Sequence, residues 1–315
     1  MNKHLLHSGI RMIAVTVVLG LALMISGCSS APEKTEGKLQ IVTTTTMLYD
    51  ATRIIAQEHA DVKALMGPGI DPHMYQASAG DVTTMSNADI VVYNGLHLEG
   101  KMGEIFASLD QQNRNVIAAE DAVDPSALLA DETNPEIYDP HIWFDVELWK
   151  QVVTHIAEQL SVFDPEHSED YGNNLKAYLV ELDELDSYMK QRVSELDETQ
   201  RVLVTAHDAF RYFGKAFGFE VKGLQGISTD AEAGTADVSN LAQFIADQQI
   251  KAIFVESSVP PKNIEALQAA VKARGFEVEI GGELYSDSLG DATSGNDTYI
   301  RTCKANIDTI VDALK

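Results

Sequence analysis

The chain has 315 residues, 45% of them hydrophobic, and carries 23 Lys plus Arg against 48 Asp plus Glu, for a formal net charge of −25. So acidic a surface repels phosphate backbones and excludes nucleic acid as a partner, while screening beyond about 10 Å keeps net charge from specifying a particular cation. Specific chemistry must come from motifs, and the length is enough for a sizeable core split into two lobes.

In chain order, the first segment is an address. Lys3 and Arg11 precede the apolar run MIAVTVVLGLALMI (12–25), which is short for a membrane span and has the layout of a secretory signal. It ends in ISGC (25–28), which resembles the lipobox of bacterial lipoproteins. On that reading residues 1–28 are a lipoprotein signal, Cys28 becomes the acylated N-terminus, and SSAPEKTEGK (29–38) is a solvated tether. A lipidated Cys28 leaves Cys303 without a disulfide partner.

From Leu39 onward, short β-branched runs alternate with amphipathic stretches. The first half gives LQIVTTTT (39–46), DVKALM (61–66), DIVVYN (89–94) and NVIAAE (115–120). The second gives RVLVTAH (201–207), FEVKGLQ (219–225), KAIFVES (251–257) and FEVEIGG (276–282). Strand, helix, strand spacing predicts an α/β fold with two parallel sheets flanked by helices. The lobes are placed at 39–163 and 199–315.

Between them, residues 164–198 contain no proline after Pro165, and apolar residues at 171, 175, 178, 182, 185, 189, 193 and 196 keep steps of three and four. The spacing predicts a single long helix of about 45 Å for thirty residues, joining the two lobes and permitting rocking rather than a wide hinge swing. A helix pair broken near Gly172–Asn174 is the alternative.

Asp-Pro-His occurs twice, in GIDPHMYQAS (69–78) and YDPHIWFD (138–145). Proline fixes its own φ and restricts its predecessor, so each imidazole arrives on a path with few alternatives. His73 follows a strand. His141 opens a helix predicted from Ile142 onward. His207 ends RVLVTAH, with Asp208 expected in the first turn of the next helix, and ELYSDSLGD (283–291) offers Asp287 after the last strand. Parallel sheets gather functional groups at the carboxyl ends of their strands, so His73, His141, His207 and Asp287 form a candidate metal site that draws on both lobes.

DPHMY, NGLHLE, DPHIWFD, VTAHDAFRYFGKAFGFEVKGLQGIST, IFVESSVPPKNIEAL and GGELYSDSLGD, in that order, resemble the TroA-like, cluster A-I metal-binding lipoproteins of bacterial ABC importers, over roughly residues 39–315. The resemblance implies two (βα) lobes on one backbone helix and one divalent transition metal in the cleft between them. Its ligand positions fall on His73, His141, His207 and Asp287, with the membrane subunits of an ABC permease as partner. Two departures stand out. YQASAGD (75–81) lacks the prolines many relatives carry there, which predicts a less rigid segment. DAVDPSALLADETNPEIYDP (121–140) has no histidine, which argues against a site dedicated to zinc.

A tetrahedral set of three histidines and one aspartate favours Zn(II), whereas a bidentate Asp287 raises the coordination number and admits Mn(II) or Fe(II). The reading is manganese and zinc together, with iron as a further candidate. Ligating histidines usually donate their second N–H to an oxygen, so Asp71, Asp139, Asp145, Asp208 and Glu256 are the candidate partners, with turn chemistry an equal alternative for Asp71 and Asp139. His4 and His7 leave with the signal, His59, His155 and His167 read as single exposed residues, and His97 is a minor candidate.

The functional expectation is a high-affinity, monomeric receptor, extracytoplasmic and membrane-anchored or periplasmic, that hands its metal to the permease. Three alternatives remain. A secreted zinc hydrolase would need an open coordination position and a general base, and neither His-Glu-x-x-His nor Gly-x-Ser-x-Gly is present. An adhesin would hold metal only structurally. A chelate-binding receptor of the same build would need aromatic walls and basic groups for a bulky anion, and these loops carry few basic residues.

Overall fold

A computed structural model describes residues 37–131 and 134–315. The expected signal, the Cys28 anchor and the tether up to residue 36 lie outside the described residues.

All eight expected strands form, each parallel to the neighbour it pairs with. In the first lobe β1 (Leu39–Thr43), β2 (Ala60–Ala64), β3 (Ile90–Tyr93) and β4 (Asn115–Ala118) make one sheet in the order β2-β1-β3-β4, with Ile41 opposite both Val62 and Ile90. Ile41, Val42, Ile90, Val91 and Val92 are all buried, as expected of a parallel sheet covered on both faces. The covering helices are α1 (Thr46–Ala56), α2 (Ala79–Asn87), α3 (Gly103–Gln111) and α4 (Val146–Phe163). Their starts are set locally: the Thr45 hydroxyl caps α1, Ser78 and Asp81 make a capping box on α2, and Asp145 caps α4.

The connector is α5 (Ser168–Val193), an unbroken helix of 26 residues and so about 39 Å long. It is shorter than 164–198, because Asp164 caps the end of α4, Pro165–His167 forms a 3-10 turn, and the helix ends at Ser194. Gly172 does not break it. The buried stripe of Tyr171, Tyr178, Leu182, Leu185, Met189 and Val193 follows the predicted period. That stripe packs against α1 and α4 of the first lobe and against the terminal helix α9 (Tyr299–Leu314) of the second. Arg192 binds Asp308 and Asp312 of α9, and the Tyr188 hydroxyl donates to Asp308.

In the second lobe β5 (Val202–His207) pairs with β6 (Glu220–Gln225), and β7 (Ala252–Glu256) with β8 (Glu279–Leu284). The second layer is thus two ladders, with β5 and β7 side by side, and its helices are α6 (Arg211–Phe217), α7 (Thr235–Gln248) and α8 (Lys262–Lys272). Asp208 precedes α6 by three residues instead of sitting in its first turn. Likewise His141 leads into a 3-10 turn, Ile142–Phe144, and the α-helix waits until Val146.

His59 and His167 depart from the expectation of isolated exposed residues. They are half-buried and stacked, with ring centroids 3.9 Å apart, and each meets a carboxylate: Asp170 at 3.0 Å and Asp164 at 2.7 Å. The cause is tertiary, since the turn after α1 docks on the start of α5. His155 is also half-buried.

Candidate metal centre

The repeated Asp-Pro-His is an Asx turn used twice. Proline has no N–H to offer, and the aspartate carboxylate instead accepts from the N–H of the histidine two residues on, from His73 to Asp71 at 2.9 Å and from His141 to Asp139 at 3.0 Å. At His141 the same Asp139 oxygen also lies 2.7 Å from ring Nδ1, so one carboxylate sets both backbone and imidazole. At His73 the second Asp71 oxygen accepts from the Thr229 hydroxyl at 2.6 Å, which ties the loop to the second lobe.

His207 stands at the end of β5 and Glu256 at the end of β7. Glu256 accepts from the His207 N–H at 2.9 Å and holds its Nδ1 at 2.5 Å. Gly223 on β6 makes room beside them, because a Cβ there would stand 2.4 Å from the Asp208 nitrogen. Asp287 follows β8 in a loop bound to the first lobe on three sides: Trp143 Nε1 donates to the Ser286 carbonyl, the Gly69 N–H to the Ser288 hydroxyl, and the Leu289 N–H to the Thr46 hydroxyl.

These elements bring His73, His141, His207 and Asp287 together, with one nitrogen or oxygen from each within 4.8 Å of all the others. His73 Nε2 and His207 Nε2 are each 3.3 Å from His141 Nε2. Asp287 Oδ1 is 3.4 Å from His141 Nε2, and Oδ2 is 3.3 Å from His207 Nε2. Four donors around an ion at about 2.0–2.1 Å have edges of about 3.3–3.4 Å when tetrahedral, so the spacing fits an ion of that size. All four side chains are buried, and Asp287 Oδ1 has no hydrogen-bond partner among the described residues. A desolvated acceptor facing imidazole nitrogens suits a cation.

The electrostatics agree. Burial lowers the His73 pKa to about 3, so its imidazole is neutral and its lone pair free. Burial also opposes charge on His141 and His207, but Asp139 and Asp287 raise the first above its ordinary value, and Glu256 and Asp287 raise the second well above it. Asp287 is held well below the usual carboxylate range; burial opposes this, but His207 and His141 prevail.

Of the five candidate partner carboxylates, only Asp139 and Glu256 hold a ring nitrogen. Asp71 serves its turn, Asp145 caps α4, and Asp208 lies 3.7 Å from Arg211 with one buried oxygen unpartnered. His97 is exposed, in a left-handed run from Gly95 (φ +80°) to His97 (φ +63°). It lines, with His73, a cavity of about 530 Å³ beside the site. Within residues 75–81, Asp81 accepts from the Tyr75 hydroxyl and from the N–H and hydroxyl of Ser78. Three residues at the site were not found by sequence reasoning: Thr229, Ser258, which bonds Asp287, and Arg211, 3.8 Å from Asp139. All three lie within stretches that carry the family resemblance, but nothing in their local pattern sets them apart as site residues.

Two parallel-sheet lobes on a long helix, with three histidines and an aspartate buried between them, define a metal-binding protein of the two-lobed, helix-bridged class. The chain matches, over residues 41–313, the family model described as ZnuA, zinc-uptake complex component A, periplasmic, and it belongs to that family. It is 50% identical over 279 residues to the zinc-binding protein TroA of Treponema pallidum, covering 89% of this chain and 90% of that one. It is 42% identical over 303 residues to the manganese-binding lipoprotein MntA of Bacillus subtilis, covering 96% and 98%. The solved structure of the periplasmic zinc-binding protein TroA from Treponema pallidum superposes with a TM-score of 0.86 at 50% identity, over 88% of this chain and 99% of that one. The family consists of binding components of metal uptake, not enzymes, and the hydrolase alternative falls with that.

Proposed function

We propose that this chain is the extracytoplasmic receptor that captures one divalent transition metal ion, Mn(II) or Zn(II), and delivers it to the membrane subunits of an ABC permease. The carrying observation is the convergence of His73, His141, His207 and Asp287 at ligand-to-ligand distances, fully buried between the lobes. Relatives named for zinc and for manganese support both metals. Four donor atoms that all lie within 4.8 Å of one another suit one bare ion better than a chelate.

In this reading residues 39–163 and 199–315 are the two lobes and 164–198 the connector. The protein acts as a monomer, tethered through a lipid on Cys28 once the signal ahead of that cysteine is removed. Docking on the permease parts the ligands and releases the ion. Both Asp287 oxygens face imidazole nitrogens, so a five-donor site that admits Mn(II) is within reach.

The test is calorimetric titration of chelator-stripped protein with Mn(II) and with Zn(II), beside His73→Ala. One equivalent bound by the wild type and sharply weakened in the variant is the expected result. Binding of neither ion would overturn the proposal in favour of an adhesin or a different ligand.

A further inference from the structure

Asp287 is the one oxygen donor among the four converging groups, and how many of its oxygens face the ion depends on rotation about Cβ–Cγ. That torsion has broad, roughly two-fold preferences of its own, so its setting comes from what the oxygens touch. Apart from the imidazoles, the side chain holding them is Ser258. Its hydroxyl lies 3.2 Å from Asp287 Oδ2 and 2.9 Å from the hydroxyl of Ser286.

The proton directions follow from chemistry. An ionised carboxylate can only accept, so the single Ser258 proton goes to Asp287, and the Ser286 hydroxyl donates to Ser258 in turn. Ser286 is buried, and its carbonyl accepts from Trp143 Nε1 at 3.1 Å, which anchors this short relay to the residue two beyond His141. Oδ2 is thereby held 3.3 Å from His207 Nε2, and Oδ1, which has no hydrogen-bond partner among the described residues, stands 3.4 Å from His141 Nε2. Both oxygens then lie at the separation that neighbouring ligands of one ion have.

Building on the receptor reading above, we infer that Ser258 is a positioning residue for metal selectivity: its hydroxyl holds the Asp287 carboxylate with both oxygens toward the ion, which favours Mn(II) relative to Zn(II). Mn(II) favours oxygen donors and higher coordination, whereas Zn(II) is satisfied by four ligands and so by one carboxylate oxygen. Without the hydroxyl the carboxylate is free to turn one oxygen away. Zn(II) tolerates that loss and Mn(II) does not.

The test is competition titration of the intact protein and of Ser258→Ala with both ions, together with the visible absorption of the Co(II) complex, whose intensity rises as coordination falls from five to four. Ser258→Ala is expected to cost Mn(II) about tenfold more affinity than Zn(II), the scale typical of a residue that orients a metal ligand, and to strengthen the Co(II) bands. Ser258→Thr, which keeps a hydroxyl, restores both. Equal losses for the two ions, or an unchanged Co(II) spectrum, would overturn the inference. Should Ser258→Ala fail to fold, Ser286→Ala removes the donor to Ser258 and must shift the same ratio in the same direction, or the inference fails. Wild-type protein that binds neither ion would instead overturn the receptor reading itself.

Discussion

Glu256 holds His207 at two points: one carboxylate oxygen accepts from the backbone N–H at 2.9 Å and the other lies 2.5 Å from ring Nδ1. The residues are 49 positions apart, on the ends of β5 and β7, and the pair fixes both the path of the strand and the tautomer of its imidazole. With Nδ1 engaged, Nε2 is the atom left for a metal.

Glu256→Gln keeps the acceptor for the backbone N–H but offers Nδ1 a neutral amide. Metal affinity is expected to fall by about 10- to 100-fold with the metal-free protein still folded, read by titration beside far-ultraviolet circular dichroism. An undiminished affinity would show that Glu256 has no hold on the site.

The pH dependence follows from the raised His141 and His207. In the metal-free protein their flanking carboxylates keep them protonated at pH values where a free imidazole, with its pKa of about 6.5, has let go. An incoming ion must displace those protons, so affinity falls as pH falls through the raised values, while His73, with a pKa near 3, contributes nothing in that range. Stability of the metal-free fold runs the other way: both histidines contribute fully below their unfolded pKa, and the contribution is lost as pH rises through the folded values. Titrations in buffers of different ionisation enthalpy count the protons released. Zero protons at neutral pH would refute the scheme.

Binding an ion between two lobes stabilises the folded state by mass action. At free metal one hundred times the dissociation constant the gain is about 2.7 kcal/mol, which for a chain this long raises the melting temperature by several degrees. Chelator is expected to reverse the rise, and His207→Ala to abolish it. A rise that survives His207→Ala would place the stabilising ion elsewhere.

Gly223 has little freedom to change. A Cβ there would meet the Asp208 nitrogen at 2.4 Å and its Cα at 2.6 Å, and neither is a flexible group that can step aside. Gly223→Ala is therefore expected to push the 207–208 segment outward, lowering the melting temperature and weakening metal binding together. A variant as stable and as tight as wild type would mean that the backbone yields at little cost.

What the sequence determined by itself was the kind and order of the elements and the identity of the converging groups. β-branched runs marked all eight strands, the three-and-four spacing of Tyr171 to Val193 marked the long helix, and the four converging groups were picked out as strand-end residues, although only His207 ends a strand while His73 and His141 stand in loops. Such patterns are local, because periodicity reports which face of an element is buried and proline restricts the chain beside it.

The tertiary structure alone decided which of five carboxylates hold an imidazole, why Asp71 reaches Thr229 in place of a ring, and that Ser258 holds Asp287. It also stacked His59 on His167, residues that read as solitary and exposed, and parted the second layer into two ladders. Apart from Asp139 on His141, which is two residues away, these contacts join residues tens to more than a hundred positions apart. A carboxylate in a loop has the same local signature whether it caps a helix, closes a turn or grips a histidine, and only the folded path of the loops and the placement of β5 beside β7 decide which one meets a ring.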